Sequence, residues 1–154
     1  MHIAVLDDNI ADRKHLERLL DRESDRRIQT TGNLYIDSYG ATETMLNAPL
    51  KQYDFFMIDM KGPVGQSLDI IKSLREKSVN VPVCLMRNEN EVTNKEEFGE
   101  LLFIEKPIIV AKLSELVGKA IEIRKNMPED EEEEETTEYT EKKGFFKSLL
   151  EKFY

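Results

Sequence analysis

Three apolar runs in this chain end on charged residues whose types suit the handling of a cation and an anion. Ile3-Ala4-Val5-Leu6 leads into Asp7-Asp8, and Phe55-Phe56-Met57-Ile58 leads into Asp59. Leu101-Leu102-Phe103-Ile104 passes through Glu105 to Lys106-Pro107. Three carboxylates and one ammonium brought to one place are costly without counter-ions, so the set implies a divalent cation and an anion. Whether they meet depends on the elements that carry them.

Short apolar runs bounded by polar residues and separated by helix-like stretches read as buried strands of a parallel sheet. Ligands of such sheets sit outside the carboxyl ends of the strands, where all three islands would lie. Between the runs, Ile10 to about Arg22 places Ile10, Leu16, Leu19 and Leu20 among charges, as an amphipathic helix does. Leu34-Tyr35-Ile36 gives a weaker second strand, followed by a short helix from about Gly40 to Asn47. Leu68, Ile70, Ile71 and Leu74 mark the next helix, and Val81 to Met86 the fourth strand. Asn88 to Glu100 offers only Val92 and Phe98 to bury, a short or mobile helix. Ile109, Leu113, Leu116, Val117, Ala120 and Ile121 make the last helix of the body. Five strand–helix units predict an α/β fold, a doubly wound five-stranded parallel sheet with helices on both faces.

The chain has 154 residues, 40% of them apolar, enough for one domain with its own core. Cys84, the single cysteine, excludes an intrachain disulfide and reads as a small buried strand residue. No apolar stretch reaches the roughly 18–20 residues that cross a bilayer, and Met1 to Asp8 reads as a strand rather than a signal peptide, which predicts a cytoplasmic protein. The net charge of −9 is unevenly spread. Residues 129–141 hold nine acids and no base, while 142–154 hold four lysines against Glu151, which leaves −3 for residues 1–128. Such a nearly neutral body implies neither nucleic acid nor an acidic substrate.

Together these residues resemble the receiver domain of two-component response regulators, a flavodoxin-like fold, over residues 1–127. The resemblance rests on Asp7-Asp8 after the first strand with Arg13 five residues on, and on Asp59 after the third with Pro63 four later. It rests also on Pro82 opening the fourth strand, Gly99 four residues before Phe103, and Lys106-Pro107 closing the fifth. It implies that Asp59 accepts a phosphoryl group from a phosphohistidine of a sensor histidine kinase or phosphotransfer protein. It implies Mg²⁺ held by Asp8 and Asp59, by Asp7 through water, and by the backbone carbonyl of Lys61. Lys106 would pair with a phosphoryl oxygen, and a downstream protein would read the result. Enzymatic activity would go no further than this self-phosphorylation.

Several positions depart from that pattern. Arg87 stands where receivers carry a Ser or Thr, Phe103 where a Tyr is frequent, Lys61 lies two past Asp59, and Ser67 replaces a glycine. The stretch from Arg87 to Lys106 is also about three residues shorter than usual for the family. Two readings of Arg87 stay open. It would grip an acyl phosphate with a fork of hydrogen bonds, or, with Lys61 and Lys106, balance Asp7, Asp8 and Asp59 permanently in a phosphorylation-independent pseudo-receiver. A haloacid-dehalogenase-type phosphohydrolase would need a second Asp two past the nucleophile, where Lys61 stands. His2 and His15 show neither a partner carboxylate nor metal-ligand spacing, and His15 reads as a surface residue.

Pro128 opens an acidic linker, 128–141, whose like charges favour a solvated chain. In 142–154, Phe146, Leu149, Leu150 and Phe153 fall at helical spacing with lysines opposite, a short basic amphipathic helix. Three occupants for that face remain open: a membrane surface, the groove of another protein, and its own body or a homodimer partner. The length leaves no room for a DNA-binding output domain, so signalling is expected to go by protein contact.

Overall fold

The computed structural model describes residues 1–60, 64–88 and 101–128. Its elements in chain order are β1 (His2–Leu6), α1 (Ile10–Arg27), β2 (Tyr35–Tyr39), α2 (Thr42–Leu46), β3 (Phe55–Asp59), α3 (Val64–Glu76), β4 (Val83–Arg87), β5 (Leu101–Glu105) and α4 (Val110–Lys125). All four strand pairs are parallel, and the sheet order is β2-β1-β3-β4-β5. The chain thus reverses its winding beside β1, which puts the ends of β1 and β3 next to each other.

Because side chains alternate across a strand, each buried run feeds two cores. Ile3, Val5, Met57 and Cys84 face α1 and α4, meeting Leu16, Leu20, Leu113 and Val117. Ala4, Leu6, Phe56 and Leu85 face the other layer, meeting Met45, Ile71 and Leu74. Cys84 is fully buried, and burial pushes its thiol pKa up.

The elements differ from expectation where polar contacts decide. β2 runs over Tyr35–Tyr39 rather than Leu34–Ile36. Leu34 is buried just before the strand, and Tyr35 is exposed. As an edge strand, β2 tolerates Asp37 and Ser38, and Asp37 finds partners: Tyr53 donates to it at 2.7 Å and His2 Nε2 lies 3.2 Å away. His2 therefore does have a partner carboxylate, contrary to the sequence reading. The register explains the miss, since His2 pairs with Tyr35 and so places Asp37 diagonally beside it.

Ile10, counted in the apolar stripe of α1, is 65% exposed, and Ile109 likewise faces outward. α1 continues past Arg22 to Arg27 because its last turns are held by charge. Glu23, buried in the core layer, accepts from Arg26 Nη2 at 2.5 Å, Arg27 Nε at 2.6 Å and Ser114 Oγ of α4 at 2.9 Å. Arg27 Nη2 also donates to Ser114 O at 2.8 Å, so the node clamps α1 onto α4. Pro82 lies outside β4, and Arg75 Nη1 ties down the approach by donating to Val79 O and Val81 O.

Among the described residues, no helix is long and apolar enough to cross a membrane. Of the expected helix Asn88–Glu100, everything past Asn88, Phe98 and Gly99 included, lies outside the described residues. So do Lys61, Pro63, the acidic linker after Pro128 and the amphipathic segment 142–154.

The clamp leads to a pH prediction. Burial alone would raise the pKa of Glu23, but hydrogen bonds from Arg26, Ser114 and Arg27 outweigh it and hold the group below its ordinary value of 4.5. A depressed folded-state pKa contributes stability above the unfolded value and loses it as pH falls. Glu23→Gln should cost about 2 kcal/mol at neutral pH. The difference from the native chain should shrink steadily below pH 4.5 in urea melts. A constant difference across that range would show that Glu23 acts by packing alone.

Candidate functional site

Strand ends set the site. β1 stops at Leu6, so Asp7 and Asp8 lie one and two residues beyond it; Asp59 is the last residue of β3, and Lys106 follows β5 directly. In a parallel sheet these ends share one edge, and the adjacency of β1 and β3 brings their acids into contact range. Asp7, Asp8 and Asp59 each offer a carboxylate oxygen within 4.8 Å of the others. Asp7 is buried at 2% exposure, and Asp8 is exposed.

Lys106 supplies the positive charge. Its Nζ lies 2.6 Å from Asp59 Oδ1, 2.9 Å from Asp7 Oδ2 and 3.3 Å from Asp12 Oδ2. Partial burial disfavours the ammonium, but the hydrogen bonds to Asp59 and Asp7 and their charges outweigh it, so its pKa is raised. The lysine is charged at every physiological pH.

A second layer of contacts fixes the acids. Asp7 Oδ1 accepts from Asn9 N at 2.9 Å, and Asp7 N donates to Tyr39 O at 3.0 Å. Asn9 also caps α1, its side chain accepting from Asp12 N at 2.9 Å. Arg13 Nη1 donates to Asp7 O at 2.7 Å. Gly40 leaves room for this guanidinium, because a Cβ there would stand 2.7 Å from Nη1. Ser67 is buried, with its Oγ 3.4 Å from the carbonyl oxygen of Asp59. A cavity of about 100 Å³ opens on the three acids, lined also by Thr42 and Gln66.

Of the residues singled out from sequence, Asp7, Asp8, Asp59 and Lys106 are brought together. Arg87 is placed elsewhere: its guanidinium carbon lies 4.3 Å from the centroid of the Phe103 ring. This is a cation–π stack rather than a fork on Asp59. Lys61 lies outside the described residues. Asp12 was missed, although its signal was present: four residues past Asp8 and three past a capping Asn, it must sit in the first turn of α1 beside the strand ends.

The donor set fits a hard cation. Carboxylate oxygens alone, with no thiolate or imidazole among them, suit Mg²⁺ or a similar ion and not zinc or copper. Three acids with a neighbouring lysine also suit the transfer of an anionic group, with one acid as acceptor and the ammonium neutralising charge.

No protein-family model and no curated protein matches this sequence. Solved structures do match. A response regulator receiver domain protein from Clostridium thermocellum aligns over 80% of this chain and 96% of its own, at 18% identity and TM-score 0.66. One from Methanospirillum hungatei aligns over 80% and 95%, at 15% identity and TM-score 0.63. A putative pilus assembly protein from Burkholderia thailandensis aligns over 79% and 98%, at 15% identity and TM-score 0.61. The chain has the fold of response regulator receiver domains.

The buried triad of charges predicts the cost of breaking it. Lys106→Met removes the ammonium shared by two mostly buried carboxylates and should destabilise the metal-free protein by about 3 kcal/mol. Asp59→Asn added to Lys106→Met should recover part of that loss. Urea melts in a chelating buffer measure both, and an unchanged midpoint for Lys106→Met would mean that solvent already screens the pair.

Proposed function

We propose that this protein is a receiver that accepts a phosphoryl group on Asp59 and passes the signal by protein contact. The observation that carries the proposal is the convergence of Asp7, Asp8 and Asp59 with Lys106 at one edge of a parallel sheet.

In this reading Asp59 Oδ attacks the phosphorus of a phosphohistidine. A P–O bond forms, the P–N bond breaks, and the imidazole leaves with the electron pair and takes up a proton from solvent. Asp7, Asp8 and Asp59 would hold Mg²⁺, which supplies neutralisation of the phosphoryl oxygens during transfer. Lys106, 2.6 Å from Asp59 Oδ1, would follow the charge onto a phosphoryl oxygen. Asn9 and Arg13 keep Asp7 oriented through its carboxylate and its carbonyl.

A second reading is favoured by the same lysine. Lys106 touches Asp59, Asp7 and Asp12 at once, so the site already contains an internal cation. With Arg87 on Phe103 in place of a switch hydroxyl, the domain would then be a pseudo-receiver, binding its partner without phosphorylation.

Incubation with Mg²⁺ and acetyl phosphate followed by intact-mass measurement separates the two. The receiver should gain one phosphoryl group, and Asp59→Asn should gain none. No gain in the native chain at any Mg²⁺ concentration would leave the pseudo-receiver.

A further inference from the structure

Two cavities meet at Asp7. One, of about 100 Å³, opens on Asp7, Asp8 and Asp59. The other, of about 240 Å³, is lined by Asp7, Asp12, His15, Asn88, Lys106 and Pro107. Of these two, the lysine lines only the larger. Its shortest contacts nevertheless go to Asp59 and Asp7, the carboxylates that line the first. Asp12 is the third contact, the longest at 3.3 Å, and about half of its side chain is exposed.

This arrangement creates a conflict that a cation would expose. Asp59 and Asp7, the two residues Lys106 holds most closely, belong to the cluster that would ligate the ion, and two positive charges beside the same carboxylates repel each other. That repulsion falls if the ammonium shifts away from the ion while keeping a negative partner. Asp12 is that partner: it lies within ion-pair reach of the lysine, outside the carboxylate cluster, and lines the larger of the two cavities. Its place is fixed, because Asp12 N is bound by the Asn9 side chain in the first turn of α1.

We propose that Asp12 is a positioning residue for Lys106, an outer anchor that takes the ammonium when a divalent cation enters and thereby raises the affinity for that cation. The proposal rests on the cation site of the preceding reading. It differs from the plain role of a first-turn acid, which would only favour the helix dipole.

Mg²⁺ titration calorimetry on the full chain tests it through Asp12→Asn, Lys106→Met and the double variant. Asp12→Asn should weaken Mg²⁺ binding by about fivefold, the reach of a half-exposed ion pair. In the Lys106→Met background the same change should weaken it by less than about twofold, because no ammonium remains to be anchored. Asp12→Glu should keep near-native affinity. Equal factors in both backgrounds would overturn the proposal, leaving Asp12 as one more negative charge near the ion. No effect of Asp12→Asn would overturn it too, as would native affinity lost equally in Asp12→Glu.

A native chain that takes up no Mg²⁺ sinks the cation reading and this proposal together. The other failures sink this one alone. Since Lys106→Met is expected to be destabilised, ammonium-proton NMR supplies an independent arm. With Mg²⁺ saturating, the Lys106 ammonium protons should exchange with water about fivefold faster in Asp12→Asn than in the native chain. Identical exchange would show that Asp12 does not receive the ammonium.

Discussion

The ammonium of Lys106, within hydrogen-bonding reach of Asp59 and Asp7 and in ion-pair contact with Asp12, joins the ends of β1, β3 and β5 to the first turn of α1. Buried carboxylates at neighbouring strand ends repel one another, and the sheet can keep them adjacent only with a positive charge between them. That requirement ties together features that look independent. A lysine must follow β5 directly, α1 must start close beside β1, and Arg13 must reach back over Gly40 to hold Asp7 by its carbonyl. A strand shifted by one residue would turn an acid of the cluster toward the other core, so the charge balance also guards the register.

Much of this was legible in the residues. The buried runs at Ile3–Leu6, Phe55–Ile58 and Leu101–Ile104 announced parallel strands, and their charged ends announced the site. What stayed hidden needed spatial partners. Asp37 next to His2 depends on the pairing of β1 with β2, and the length of α1 depends on a node completed by Ser114, 91 residues from Glu23. Ile10 and Ile109 fit an apolar period but lie at helix starts, beyond the layer that the sheet can cover. Asp12 was within reach of simple helix spacing, three residues past the capping Asn9.

Two departures from the receiver pattern belong together. In the β4–β5 register Leu85 faces Phe103, so Arg87, two residues on, lies diagonally beside that ring on the same face of the sheet. The guanidinium and the ring then stack, each covering the other's apolar surface. The receiver pattern has hydroxyls at both places, a small Ser or Thr and frequently a Tyr. Here the pair is bulky and self-satisfied, and moving either member means separating the stack. Such a pairing favours one arrangement of this edge of the sheet, and any signal passing through it must overcome that preference.

Cys84 gives the molecule an internal reporter. Its sulfur sits near the start of β4, buried in the core that the sheet shares with α1 and α4, and burial disfavours the thiolate that alkylating reagents require. Modification can therefore proceed only through openings that separate those helices from the sheet. As the chain's single thiol, it would record each such opening as one covalent mark, without any added label. The rate of marking would read the opening equilibrium of the α1–α4 face directly, under native conditions.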